Sequence, residues 1–183
     1  MRYNMRKMVI LLSYFLLSNN IVFAKNLILS SKINACFESA SAQYKIPKEV
    51  LISIANVESK FNPLAVNINK NGSYDLGIMQ INSSWFSRLS RMGITEKMLK
   101  NPCQNITIGA WILAQNIQQY GFNWIAIQHY NGSDNQLKYA QKIYNSIKQY
   151  NPNLTQKMLH NTCESHSYVQ PKVQSKKQLF FTN

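Results

Sequence analysis

A mainly helical α+β domain carrying one small β-hairpin is the fold the sequence predicts, and three observations predict it. Apolar residues recur at three- and four-residue spacing through most of the chain between positions 34 and 149. A single Asn71-Gly72 pair beside an alternating Val66-Asn67-Ile68 stretch marks a hairpin, because both turn positions tolerate positive φ. Pro47, Pro102, Gly121 and Gly132 fall between the periodic segments. The 183 residues leave room for one domain of ordinary size with extra segments at its ends.

Residues 1–24 read as a secretory signal. Arg2, Arg6 and Lys7 form a basic end, an apolar run follows over 8–17, and Val22-Phe23-Ala24 supplies the small-residue cleavage pattern. About ten apolar residues are too few to cross a bilayer, which takes about 20. Cleavage is expected after Ala24, delivering a periplasmic protein with no stable membrane insertion.

Residues 34–45 and 47–60 are expected to be helices, with Pro47 in the first turn of the second, where its missing N–H has no partner to lose. Val50, Ile54, Val57 and Phe61 share one face of that helix, Leu51 and Ala55 lie on the adjacent flank, and Glu58 continues the flank. The hairpin follows over 65–76. Ser83 or Ser84 then caps a short helix, and 93–100 gives another turn or two. Residues 106–120 are apolar nearly all round through Ile108, Trp111, Ile112, Leu113 and Ile117, the pattern of a buried central helix, stopped by Gly121. A short helix over 124–130 closes at Asn131-Gly132. Leu137, Ala140, Ile143, Tyr144 and Ile147 define a last amphipathic helix. The chain is polar beyond Pro152, and a flexible basic tail is expected there. The organisation is thus 1–24 signal peptide, 25–150 folded domain and 151–183 tail.

The formal charge of +13 falls to +10 once the three cations of the signal are removed. Such a balance suits a polyanionic partner, and an exported protein meets the cell wall with its carboxylates first. The cations are spread from Lys32 to Lys177 without a recognisable reading module, so no nucleic-acid partner is expected. Of the three cysteines, an oxidising compartment would join two and leave one. Cys36 and Cys103 bracket the core, and closing their long loop would stabilise it by roughly 4 kcal/mol on the chain-entropy model. Cys163 lies beyond it. His160, Cys163 and His166 have metal-like spacing, but three ligands in a polar segment do not complete a zinc site, and none is assigned.

Glu58 is the residue with chemical promise. A carboxylate on the apolar flank of a helix is partly desolvated, which raises its pKa as a general acid at neutral pH requires, although ion-paired carboxylates occupy such places too. Downstream stand Asn71-Gly72-Ser73-Tyr74-Asp75-Leu76-Gly77-Ile78-Met79-Gln80-Ile81-Asn82-Ser83 and His129-Tyr130-Asn131.

With Glu58-Ser59, Gly-Ile-Met-Gln, His-Tyr-Asn, and the cysteines of Ala-Cys-Phe and Asn-Pro-Cys, residues 34–149 resemble the lysozyme-like superfamily. More narrowly they resemble the small specialised lytic transglycosylases that accompany bacterial secretion, invasion and conjugation machines. The resemblance implies a lysozyme-like domain with its hairpin beside an active-site cleft. It implies Glu58 as the catalytic acid, Gln80 and Asn82 facing the sugar cleft, and Tyr130 and Asn131 near the Glu58 carboxyl. Asn67 falls where such proteins often carry a small polar residue, and His129 stands where alanine is more usual. A disulfide between Cys36 and Cys103 fits the same pattern.

Such enzymes cut the MurNAc-GlcNAc bond of peptidoglycan with one carboxyl group. It protonates the bridging oxygen and then, as carboxylate, takes the proton of the 6-hydroxyl that closes a 1,6-anhydro ring. No metal or organic cofactor is needed. The implied partners are glycan strands and components of a secretion or conjugation apparatus, and the expected state is a monomer. Two alternatives stay open: a hydrolytic muramidase using Asp75 as second carboxylate, and a wall-binding assembly factor whose activity is dispensable.

Overall fold

A computed structural model of the chain describes residues 31–132 and 136–163. The expected signal peptide, residues 164–183 and the third member of the metal-like triplet, His166, lie outside the described residues. The chain divides into two units, 1–35 and 36–183, and the first contributes only the opening residues of helix α1 to the described chain.

Helix α1 (31–44) buries Cys36, Phe37, Ala40 and Tyr44, the three- and four-residue repeat of a single face. Its end is tied down by the Ser41 hydroxyl, which donates to the Ile46 carbonyl at 2.6 Å. Helix α2 (Lys48–Ser59) starts one residue later than expected, because Pro47 takes the cap position with φ −51° and ψ 132°. It buries Val50, Leu51, Ser53, Ile54 and Ala55. Lys60 and Phe61 then both adopt left-handed backbone, φ 55° and 62°, which ends the helix abruptly. Phe61, expected to prolong the apolar stripe, therefore falls outside the helix.

The hairpin expected over 65–76 is formed by β1 (Val66–Ile68) and β2 (Tyr74–Leu76), with Gly72 at φ 80° in the turn. A third strand the pattern did not reveal, β3 (Ile81–Asn82), adds to the other side of β2, giving an antiparallel order β1-β2-β3. The register sets Asn67 opposite Asp75 and Asp75 opposite Asn82. A 3-10 turn over Ser83–Trp85 follows, capped by the Asn82 side chain through the Ser84 N–H and not by either serine. Helices α3 (Phe86–Ser90) and α4 (Glu96–Leu99) are short, the second capped by Thr95.

Helix α5 (Pro102–Tyr120) is the central one. It starts earlier than the apolar pattern because Asn101 caps it, accepting from the Cys103 and Gln104 N–H groups, and Pro102 suits the first turn. It buries Ile106, Ile108, Ala110, Trp111, Ile112 and Leu113. The Cys36–Cys103 disulfide joins α1 to its first turn, with the Cα atoms 5.0 Å apart. Helix α6 (Trp124–Asn131) is capped by Asn123 and closed by Gly132 at φ 64°. Helix α7 (Gln136–Tyr150) packs on α2 and α6 through Tyr139, Ala140, Ile143, Ser146 and Ile147. Leu137, expected on that inward stripe, is 77% exposed, because the stripe runs through 139, 143 and 146–147 and passes it by.

The expected tail does not begin at 151. Helix α8 (Pro152–Cys163) packs on α6 and α7 and buries Leu154, Thr155 and Met158. Leu154 and Met158 are one helical turn apart in a mostly polar stretch whose other leucine, Leu159, is exposed, too sparse a signal to stand out without the groove that receives them. Asn161 fastens the far end, donating to the Phe122 carbonyl at 3.0 Å. Met158→Ala should lower stability by about 2–4 kcal/mol, the usual loss for emptying a fully buried methionine site. A urea midpoint unchanged by that substitution would place α8 outside the cooperative core. No described helix is long and apolar enough to cross a membrane.

Candidate active site

The sheet and the helices line a small, open cleft. Six residues singled out in the sequence line it together: Glu58, Asp75, Gln80, Asn82, Tyr130 and Asn131. Ile81, Trp85 and Ile112 complete the lining. Asn67 is not among the lining residues; it lies on exposed β1 and reaches inward only as far as Asp75.

Glu58 sits in the last turn of α2, half-buried, with Oε1 accepting a hydrogen bond from the Tyr139 hydroxyl at 2.7 Å. Burial lifts its pKa from 4.5 to about 7. The Tyr139 hydrogen bond and the charge of Lys142 pull it down, and the negative charge of Asp75 pushes it up. Burial wins, leaving a carboxyl poised between its two forms near neutrality. Tyr139 was missed in the sequence, where a tyrosine on an apolar helical stripe reads as core packing. Its own pKa is pushed well up by burial and by the adjacent Glu58, so it remains a donor.

Tyr130 lines the cleft with Glu58, as expected, and its hydroxyl has a structural partner as well. Its hydroxyl donates to the Met79 carbonyl at 2.9 Å, so it is occupied in holding a loop, while the ring lines the cleft. That loop, 76–80, is pinned from three helices. Ser59 of α2 donates to the Ile78 carbonyl at 2.7 Å. Fully buried Asn105 of α5 accepts from the Met79 N–H at 2.8 Å and donates to the Leu76 and Leu99 carbonyls, both at 2.9 Å. Gly109 makes room for the third anchor, since a Cβ there would come within 2.9 Å of the Tyr130 hydroxyl and 2.8 Å of Met79. The Glu-Ser pair, the Gly-Ile-Met-Gln segment, the second Asn of Asn-Pro-Cys-Gln-Asn and the tyrosine triplet thus meet at one loop.

Gln80 has left-handed backbone at φ 48°, and its amide nitrogen donates to the Gly77 and Ala65 carbonyls at 2.8 and 3.2 Å. The side chain fixes the turn that carries it into the cleft wall. Asp75 is held by three amides: Asn82 donates to Oδ1 at 2.6 Å, and Asn69 and Asn67 donate to Oδ2 at 3.0 and 3.3 Å. Asn82 therefore serves Asp75 and the 3-10 turn at once. Trp85 stands edge-on to Trp111, with the Arg88 guanidinium over both rings at 5.5 and 4.9 Å, so the aromatic wall of the cleft is braced from behind. His129 stacks on Tyr120 at 4.1 Å and does not line the cleft.

A helical domain with a small sheet at one wall of a cleft and one half-buried carboxyl group at a helix end is of the lysozyme-like class. Within that class, residues 35–154 match the family model described as Transglycosylase SLT domain, and the chain belongs to this family. It is 41% identical over 120 residues to Invasion protein IagB of Salmonella typhi, covering 62% of this chain and 75% of that one. It is 42% identical over 116 residues to Protein IpgF of Shigella sonnei, covering 60% and 76%. The X polypeptide of Escherichia coli is 35% identical over 118 residues, covering 60% and 70%.

Proposed function

We propose that this protein is a periplasmic lytic transglycosylase that cuts the MurNAc-GlcNAc β-1,4 bond of peptidoglycan and leaves 1,6-anhydromuramic ends. The observation that carries the reading is Glu58, half-buried at the cleft with its pKa raised to about 7 and Tyr139 at 2.7 Å. A protonated Glu58 gives its proton to the bridging oxygen as the glycosidic bond breaks. The resulting carboxylate, steadied by the Tyr139 hydroxyl, accepts the proton of the muramic 6-hydroxyl as that oxygen bonds to the anomeric carbon. One group serves both steps, and no water is consumed.

Asp75 bears on the choice between ring closure and hydrolysis. Both of its oxygens already accept hydrogen bonds from asparagine amides, an arrangement that favours a fixed neighbouring charge over a nucleophile or water-activating base. Its place in the cleft lining keeps hydrolysis as the second reading. Incubating the mature protein with purified sacculi is expected to yield 1,6-anhydromuramic ends; reducing ends in their place would establish hydrolysis.

Tyr139→Phe removes a hydrogen bond that favours the charged carboxylate, so Glu58 should hold its proton to higher pH. The descending limb of the pH–rate profile should move upward and the rate at its optimum should fall by about tenfold, since the carboxylate loses its orienting partner. An unmoved limb would remove Tyr139 from the proton-transfer account. The wall substrate supports the periplasmic assignment, and the kinship with an invasion protein supports local opening of the wall for a secretion or conjugation apparatus.

A further inference from the structure

The cleft wall has an outer edge that catalysis does not use. Strand β1 is the end strand of the sheet, and all three of its residues are exposed. Along this edge and the segment entering it, Phe61, Leu64, Val66 and Ile68 are 37%, 78%, 62% and 79% exposed, four of the large apolar side chains that the described surface leaves in water. The flanking bonds, Gly77 N–H to Ala65 O and Asn69 N–H to Ser73 O, fix the alternation of the ladder. Residues 65, 67 and 69 turn their backbone groups towards β2, so Val66 and Ile68 turn theirs outward. The side chains of 66 and 68 share a face, while Asn67 points to the opposite one and reaches Asp75. Lys60 and Lys70 stand at the two ends of the strip, exposed and in no ion pair among the described residues.

An exposed apolar edge strand is a template for another strand, and proteins usually blunt such edges with charge, proline or a bulge. Here the charges sit at the ends and the middle is left open. Apolar side chains left exposed along an open strand edge mark a contact site. We infer that β1 is a docking edge for a partner protein, which adds an extended strand with apolar residues at alternate positions and acidic residues at its ends. The flanking lysines select acidic ends over basic ones. They also oppose a second copy of this chain, which would bring a strongly basic protein against itself. The inference rests on the proposed function only in making the partner a component of the machinery the enzyme serves. Docking there would hold the cleft against that machinery without covering Glu58.

The probe is a fluorescent synthetic peptide of alternating valine and threonine with two glutamates at each end, titrated into the mature protein and followed by anisotropy. Saturable binding is expected, together with slowed amide exchange at Val66 and Ile68. A double variant, Val66→Lys with Ile68→Lys, should weaken it by at least about tenfold, as should replacing the peptide's glutamates by lysines. The same variant should clear sacculi at the wild-type rate, which separates failure of docking from failure of the enzymatic reading. Absence of binding at millimolar peptide, equal binding by the variant, or equal binding of the lysine-ended peptide overturns the inference. Concentration-dependent dimerisation that the variant abolishes would overturn it in favour of self-pairing.

Discussion

Glu58→Gln should abolish glycan cleavage and make the protein more stable above neutral pH. In the proposed mechanism Glu58 exchanges the proton in both steps, so its loss predicts a fall of about a thousandfold or more in sacculus clearing. Sacculus binding should survive, since glutamine has the same shape and its carbonyl can still accept from Tyr139. The stability gain follows from the raised pKa. As pH climbs from 4.5 to about 7, the unfolded chain releases a proton that the folded chain keeps, so wild-type stability declines through that window and levels off above it. Glutamine has no such proton. Below pH 4.5 the two proteins should differ little, and at pH 8 the variant should be the more stable by about 2–3 kcal/mol. Denaturant midpoints at pH 4 and pH 8 measure the difference directly. A variant no more stable at pH 8 would show that Glu58 is not desolvated, and the acid role would lose its physical basis.

Asn105→Ala should damage the fold and the site together. The Asn105 side chain is fully buried and makes three hydrogen bonds, all to backbone groups, two of them at either end of the 76–79 stretch. Alanine would leave those three groups unpaired in a dry environment, each at about 1–3 kcal/mol, so a loss of at least about 3 kcal/mol is expected. Activity should fall even at temperatures where the variant is folded, because Gly77 to Gln80 would no longer be held against α5. Alanine cannot substitute for the lost acceptor at the Met79 N–H. An unchanged melting temperature would mean that water replaces the side chain and that Ser59 and Tyr130 suffice to hold the loop.

Much of the fold was legible because its signals are local. Helical periodicity, the Asn71-Gly72 turn, the glycine stops and the proline starts each act over a few residues, and the structure places elements at all of those positions. The misplacements have physical causes. Phe61 leaves its helix because two consecutive residues turn left-handed, and no residue type announces that. Strand β3 is too short to show alternation, and α8 hides its two buried apolar residues among polar ones. At the site, Glu58 could be picked out by residue type and helix position, and Gln80 and Asp75 by the resemblance of their motif. Tyr139 could not, because its meeting with Glu58 joins residues 81 positions apart.

By itself the sequence determined that Glu58 could exchange a proton and where most of the helices and the hairpin lie, since residue type and spacing fix proton-transfer capacity and local geometry. Tertiary structure alone decided what each polar side chain does. Packing α7 on α2 takes the Glu58 carboxyl partly out of water and supplies the Tyr139 hydroxyl, and the three-stranded register surrounds Asp75 with amides. Desolvation and hydrogen bonding depend on what other parts of the chain bring within a few ångströms, and only the folded chain sets those distances.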